Sequence, residues 1–177
     1  MFANFRPTWM IESVYDLTPA QIKKHKIKVV LTDLDNTLIA WNNPNGTPQL
    51  KKWLAVMKEN DIPVVVVSNN SYKRVKRAVA KLELPFISRA LKPFGRGVNL
   101  AKKKYNLKDD EVVLIGDQLM TDIAAANSGN IKSILVKPLV PSDAWNTKIN
   151  RFFESIVKRH LLKTGQMKKT WGHSLDD

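Results

Sequence analysis

Residues 27–38 read Ile-Lys-Val-Val-Leu-Thr-Asp-Leu-Asp-Asn-Thr-Leu, an apolar run followed by an acidic loop. The apolar first half predicts a short buried β-strand, and the loop that follows carries Asp33 and Asp35 on one side. One carboxylate can attack phosphorus and hold a cation, while a second carboxylate two residues away can transfer the proton. The segment therefore predicts chemistry on a phosphoryl group, with Thr37 helping to hold the loop.

Short apolar runs alternate with helical patterns along the rest of the chain. Strands are predicted at 27–33, 63–68, 86–90, 112–116 and 132–136, and helices at 47–60, 71–83, 96–105 and 121–128. This alternation is typical of a parallel sheet covered by helices, and the unbroken valine run at 64–67 indicates a strand buried on both faces. The sequence thus predicts an α/β protein with a doubly wound, Rossmann-like parallel sheet.

Both ends of the chain fall outside this pattern. Residues 1–26 are predicted to be an N-terminal extension, in which Thr18 caps a helix that begins at Pro19. Residues 27–140 are predicted to form the core, and residues 141–177 a basic amphipathic helix and a loose tail from Gln166 onward. The helix is expected over 142–162, and its apolar stripe comprises Trp145, Ile149, Phe152, Phe153, Ile156, Val157 and Leu161.

Two interpretations of that stripe remain open at this point. It either docks on the core or lies against anionic lipid or a partner protein. The 177 residues include no cysteine, which excludes disulfides and thiol chemistry. Neither a signal peptide nor an apolar run long enough to span a bilayer is evident, so a cytoplasmic protein, peripheral to a membrane at most, is expected.

Charge is unevenly distributed along the chain. The net charge is +13, and residues 71–108 hold twelve Lys and Arg against one acidic residue, Glu83. A basic field of this kind raises the local concentration of anions, although it is also compatible with a solvated surface helix.

Two further segments place phosphate-binding candidates after strands. Ser68 and Asn69 follow the valine strand at the start of a predicted helix, where backbone N–H groups favour an anion. Ser68 is also a candidate N-cap of that helix. Lys92 precedes Pro93, and a cation there would neutralise the oxygens of a phosphoryl group.

A fourth segment supplies more carboxylates. Asp117 and Asp122 follow the strand predicted at 112–116, and ligands of open parallel sheets collect beyond the carboxyl ends of the strands. Together with Asp33 and the backbone carbonyl of Asp35, they form an oxygen-rich set suited to Mg²⁺. Asp122 acting only as a helix cap is the alternative.

These four segments, in this order, resemble the haloacid dehalogenase (HAD) superfamily of phosphotransferases. More narrowly, the stretches 31–38, 67–70, 90–94 and 116–122 resemble the YqeG-type phosphatases of subfamily IIIA. The resemblance implies a HAD fold, Asp33 as nucleophile and Asp35 as general acid and base. It further implies a phosphate site comprising Thr37, Ser68, Asn69 and Lys92, and a Mg²⁺ site comprising Asp33, Asp35, Asp117 and Asp122.

Spacing predicts an open site. Only 32 residues separate Asp35 from Ser68 and 23 separate Ser68 from Lys92, so neither gap holds a separate cap domain. An uncapped site suits a phosphate on a large substrate, and relatives of the resembled group act on phosphatidylglycerophosphate. A lipid is therefore the leading substrate, with a nucleotide, a sugar phosphate or a phosphoprotein left open.

Two other classes of function remain in view. One is a nucleic-acid or ribosome-associated protein that keeps the HAD fold, which the high pI near 10.0 motivates. The other is a phosphotransferase or a structural partner in a complex, with the apolar stripe as its interface. The sequence does not indicate an oligomeric state.

Overall fold

A computed structural model of the chain describes residues 2–40, 42–141 and 147–177. The strands in this part of the chain are β1 (Trp9–Ile11), β2 (Val29–Thr32), β3 (Val64–Val67), β4 (Phe86–Ile87), β5 (Val112–Gly116) and β6 (Lys132–Val136). They form one parallel sheet in the order β1-β6-β5-β2-β3-β4.

Helices connect these strands. They are α1 (Pro19–Lys24), α2 (Pro48–Glu59), α3 (Tyr72–Val79), α4 (Arg96–Tyr105), α5 (Ala124–Ser128) and α6 (Thr147–Lys163). A π-helical turn, Leu119–Ile123, leads directly into α5. Single 3₁₀ turns lie at Ala3–Phe5, Val14–Asp16 and Asp109–Glu111.

The sheet is buried on both faces because successive strand side chains point to opposite sides. On one face, Val30, Val64 and Val66 pack in a single apolar cluster with residues of α1, α2 and α3. On the other face, Leu31 and Val65 pack in a second cluster with residues of α4 and α5. The prediction of a doubly wound α/β sheet is confirmed.

The register of the central strands brings their carboxyl ends to the same level. Thr32 of β2 lies opposite Val66 of β3 and Ile115 of β5, so the three strands end at the same level. Between β2 and β3, and between β3 and β4, the described residues contain no separate cap domain, as the spacing predicted. The segments that follow these strands therefore meet at one open edge of the sheet.

The N-terminal region adds a strand that the sequence did not predict. Trp9 and Ile11 of β1 pair in parallel with Ile134 and Val136 of β6. Thr18 caps α1 through its hydroxyl and Pro19 is the first helical residue, as predicted. The domain boundaries near residues 26 and 140 stay a prediction, but the extension contributes its strand to the core sheet.

The prediction of a loose tail from Gln166 onward was wrong. Met167 and Leu175 are buried, and the backbone of Gly172 exchanges two hydrogen bonds with the β1 segment. Its N–H donates to the carbonyl of Met10 at 3.1 Å, and its carbonyl accepts from the N–H of Glu12 at 2.9 Å. The exposed edge of β1 leaves main-chain groups that need partners, and this segment supplies them.

The C-terminal helix divides its predicted apolar stripe between two environments. Val157 and Leu161 are buried in a cluster with residues of the π-helical turn, which confirms docking on the core for that part of the stripe. Phe152, Phe153 and Ile156 are exposed. Residues 142–146, including Trp145, and the side chain of Ile149 lie outside what the structure describes. In the described ranges, no helix has the length and apolar character to cross a bilayer.

Candidate active site

Three charged side chains form a cluster at the carboxyl edge of the sheet, here called the buried charge cluster: Asp33, Lys92 and Asp122. Lys92 Nζ donates to Asp33 Oδ1 at 2.6 Å and to Asp122 Oδ1 at 2.7 Å. The side chains of Lys92 and Asp122 are only 4% and 1% exposed. Burial alone would lower the pKa of Lys92, but the neighbouring carboxylates of Asp122 and Asp33 outweigh it and raise that pKa, so the ammonium group stays charged.

The side chain of Asn69 holds the backbone that carries Lys92. Its Oδ1 accepts from the N–H of Lys92 at 2.7 Å, and its Nδ2 donates to the carbonyl of Lys92 at 2.9 Å. The peptide bond between Lys92 and Pro93 is cis. The loop after β3 therefore fixes the position of the lysine that follows β4.

Asp117 and Asp122 lie beside Asp33, as predicted. One carboxylate oxygen from each of the three lies within 4.8 Å of the others. Thr37, which is buried, donates its hydroxyl to Asp117 Oδ1 at 3.3 Å. Burial, together with Asp122 and Asp33, raises the pKa of Asp117.

Gly116 permits this crowding of carboxylates. A Cβ at Gly116 would lie 2.2 Å from Cγ of Asp122, closer than two such atoms approach. Only glycine therefore lets the Asp122 side chain fold back under the strand end. The three carboxylates supply hard oxygen donors, and a divalent cation would offset their mutual repulsion, so these residues fit Mg²⁺.

Asp35 lies at the rim of the site rather than in its interior. Its side chain is 46% exposed, and Oδ2 accepts a hydrogen bond from Asn70 Nδ2 at 2.8 Å. Arg74 Nη2 lies 3.7 Å from Oδ1. Burial and the negative charge of Asp33 raise the pKa of Asp35, against the opposing effects of Arg74 and Asn70.

Asn70 and Arg74 were not among the predicted site residues. Asn70 follows Ser68 and Asn69 directly, and that short polar run after a buried strand was the available signal. Arg74 lies in the first turn of α3, and it is one of twelve basic residues in the stretch 71–108, so the sequence gave no reason to single it out.

Ser68 is buried at the end of β3. Its Oγ accepts from the N–H of Asn70 at 3.2 Å, which makes a local turn. The helix α3 begins at Tyr72 and its N-cap position is Ser71, so the interpretation of Ser68 as the N-cap was wrong. A phosphate-binding role for Ser68 stays a prediction.

Known proteins resemble this chain in sequence as well as in fold. A family model described as HAD-hydrolase-like matches residues 79–150. The chain is 40% identical over 163 residues to the probable phosphatase YqeG of Bacillus subtilis, a match that spans 92% of this chain and 95% of that protein. The chain therefore belongs to the HAD superfamily of hydrolases, in the family of YqeG.

Solved structures with a similar fold are more distant in sequence. A 4-nitrophenylphosphatase from Thermotoga maritima is 14% identical, with a TM-score of 0.50 over 67% of this chain and 89% of that one. The cobalt-bound deoxy-D-mannose-octulosonate 8-phosphate phosphatase of Haemophilus influenzae is 18% identical, with a TM-score of 0.48 over 64% and 70%. At 14% identity, the likeness to the Thermotoga enzyme shows a shared fold.

Proposed function

We propose that this protein is a Mg²⁺-dependent phosphatase that hydrolyses phosphomonoesters through an aspartyl-phosphate on Asp33. The contact of 2.6 Å between Lys92 Nζ and Asp33 Oδ1 carries the proposal. A carboxylate that attacks a phosphate dianion is otherwise repelled, and a charged lysine beside it neutralises the oxygens of the phosphoryl group. Membership in the YqeG family, whose Bacillus subtilis relative is named a probable phosphatase, supports the same reaction.

The reaction divides into two displacements at phosphorus. In the first, a carboxylate oxygen of Asp33 bonds to phosphorus, the ester P–O bond breaks, and Asp35 gives its proton to the departing alkoxide. In the second, Asp35 takes a proton from water, the water oxygen bonds to phosphorus, and the bond to Asp33 breaks to release inorganic phosphate. Asn70 orients Asp35 through its hydrogen bond of 2.8 Å.

Mg²⁺, when bound, would neutralise charge shared between the attacking carboxylate and the phosphoryl group. We assign Asp33, Asp117 and the backbone carbonyl of Asp35 as its protein ligands. Asp122 takes a supporting role, because Oδ1 accepts from Lys92 and Oδ2 accepts from the N–H of Gln118 at 3.2 Å.

The same contacts support the proposed phosphate-binding set. Ser68 and Lys92 are the proposed direct partners of the phosphoryl group. Asn69 acts through the backbone of Lys92, and Thr37 acts through the carboxylate of Asp117. In this proposal, Ser68 and Lys92 contact the substrate. Asn69 and Thr37 instead hold Lys92 and the metal ligand Asp117 in position.

A phosphate on a large amphiphile is the substrate class that the surroundings favour. Leu91 and Phe94, which flank Lys92 and Pro93 in the chain, are 53% and 69% exposed, and Tyr72 opens the basic helix α3. Exposed apolar side chains beside basic ones suit a lipid headgroup at an anionic surface. A phosphatidylglycerophosphate-like lipid, reached by peripheral contact with the membrane, is therefore the leading candidate.

Phosphate release from p-nitrophenyl phosphate and from phosphatidylglycerophosphate in mixed micelles tests the proposal. Wild type and Asp33→Asn are compared in Mg²⁺ and in EDTA, with Asp61→Asn as the matched control at an exposed position. We expect release that requires Mg²⁺, survives in Asp61→Asn and disappears in Asp33→Asn. Turnover that persists in EDTA or in Asp33→Asn would contradict the mechanism. RNA binding by a folded protein without turnover would favour the nucleic-acid alternative.

A further inference from the structure

The π-helical turn after β5 begins without a cap from its own segment. It spans Leu119–Ile123, begins two residues after Asp117 and contains Asp122, and Gln118 at its N-cap position makes no side-chain capping bond. The first N–H groups of any helix have no acceptor within that helix. Partners for them must therefore come from elsewhere in the molecule.

Glu154 of α6 supplies those partners from 35 residues away in the chain. Its Oε1 accepts from the N–H of Leu119, and its Oε2 accepts from the N–H of Met120 at 3.0 Å. The preceding N–H, that of Gln118, donates to Asp122 Oδ2 at 3.2 Å. The carboxylate of Glu154, from α6, and that of Asp122, from within the turn, thus accept from three consecutive N–H groups where the turn begins.

The position of Glu154 is itself well supported. Val157 and Leu161, on the same helix, are buried in one apolar cluster with Leu119 and Ile123 of the turn. Burial raises the pKa of Glu154, while the two N–H groups and Lys158 favour its charged form. A carboxylate at the positive end of a helix is also favoured by the helix dipole.

We infer that Glu154 is a positioning residue, which sets the loop from Asp117 to Asp122 so that its carboxylates face Asp33 at metal-binding distance. The inference rests on the proposed Mg²⁺ chemistry but concerns a different residue on a different element. Partners that orient ligands typically change metal affinity about 10- to 100-fold when they are removed. A residue that merely anchors α6 would change the free energy of unfolding and leave metal affinity unaltered.

Direct metal binding distinguishes these two roles. Full-length wild type, Glu154→Gln and Glu154→Ala are titrated with Mn²⁺, detected by electron paramagnetic resonance, and with Mg²⁺ by calorimetry. Ser155→Ala is the matched control, because its exposed hydroxyl donates to the carbonyl of Phe152 within α6. Thermal unfolding without metal records the stability of each variant, and kcat and KM for p-nitrophenyl phosphate record turnover.

We expect the dissociation constant for the metal to rise about tenfold or more in Glu154→Ala and by less in Glu154→Gln. The amide of the glutamine keeps one acceptor oxygen for two N–H groups, so its defect is intermediate. In both variants kcat should fall more than KM rises, whereas Ser155→Ala should match wild type. If Glu154→Ala does not fold, the Glu154→Gln titration decides.

Unchanged metal affinity in Glu154→Gln and Glu154→Ala, with only the unfolding temperature lowered, would overturn the inference. If wild type binds metal and the variants lose it, but no phosphomonoester is hydrolysed, the proposed function fails and the inference stands. If wild type binds no metal, both fail.

Discussion

Asp33 and Asp35 lie two residues apart in the same loop, and each pairs with a basic side chain. The two ion pairs differ in length and in exposure to solvent. Asp33 is paired with Lys92 at 2.6 Å in the buried charge cluster, and the lysine side chain is 4% exposed. Asp35 is paired with Arg74 at 3.7 Å at the rim, and the arginine side chain is 65% exposed. The interior pair is shielded from water and salt, whereas solvent screens the rim pair.

In the proposed mechanism, this difference suits the two roles assigned to one short motif. The proposed nucleophile, Asp33, needs a fixed position for attack on phosphorus, and its charged partner Lys92 holds it there. The proposed general acid and base, Asp35, exchanges protons with leaving groups and water, so access to solvent suits it. Substitutions in the interior pair should therefore lower both the free energy of unfolding and turnover. Substitutions in the rim pair should lower turnover alone.

Lys92→Met should have the largest effect. Removing the ammonium group leaves Asp33 and Asp122 buried without their partner, and breaking a buried ion pair costs about 3–5 kcal/mol. We expect this loss in the free energy of unfolding, measured in urea, together with loss of turnover. Arg74→Met is the matched control and should change stability by about 0.5 kcal/mol or less. An equal loss in the free energy of unfolding in Lys92→Met and Arg74→Met would contradict the difference between the interior and rim ion pairs.

Asp33→Asn should separate chemistry from stability. Turnover should fall by roughly 10⁴-fold or more, the scale seen when a nucleophile is removed. The free energy of unfolding should fall less than in Lys92→Met, because Asp122 still pairs with Lys92 at 2.7 Å. Urea unfolding and phosphate release on the same preparation check both parts. A stability loss as large as that of Lys92→Met would argue against this pairing.

Asp35→Asn should reduce turnover without affecting folding. Loss of a general acid typically lowers kcat by about 10²- to 10⁴-fold. The side chain is 46% exposed, so the free energy of unfolding should stay within about 0.5 kcal/mol of wild type. Single-turnover kinetics with p-nitrophenyl phosphate, beside circular dichroism melts, would measure the two. The p-nitrophenolate leaving group needs little protonation. A phosphate ester of a more basic alcohol should therefore show a larger fall in kcat in Asp35→Asn.

Arg74→Ala should have the smallest effect. The guanidinium group is exposed and 3.7 Å from Asp35, and such pairs contribute about 1 kcal/mol or less. A rise of a few-fold in KM for an anionic substrate is expected, and it should shrink as ionic strength increases. Arg77→Ala, on the same exposed helix, serves as the control. Salt-independent effects of equal size in both variants would show that Arg74 has no particular role.

The central strands and the residues that follow them were predictable from the sequence. The apolar runs of β2, β3 and β5 are long enough to be identified as buried strands. Asp33, Ser68 and Asp117 are the residues that directly follow these strands in the sequence. Parallel strands with aligned ends bring such residues together, so local pattern and fold class jointly predicted the location of the site.

Contacts between distant segments were not predictable in the same way. Glu154 bonds to a turn 34 and 35 residues earlier in the chain, and no local pattern encodes such a pairing. β1 has only three residues, too few to show a period. Leu175 and Met167 are isolated apolar residues in a polar segment, so their burial depends on a groove that only the folded core provides.

The arrangement of β1 implies an order of events during synthesis. Trp9 pairs with Ile134, and Met10 accepts a hydrogen bond from Gly172, so β1 leaves the ribosome well before the segments that pair with it. β2 and β3 need only a short connection to pair, which costs less loop-closure entropy. We expect pulse-labelled hydrogen exchange to show protection of the Val65 amide before that of Glu12, whose N–H donates to the carbonyl of Gly172. The central strands would then be paired while the β1 segment still lacks its partners and remains free to engage chaperones.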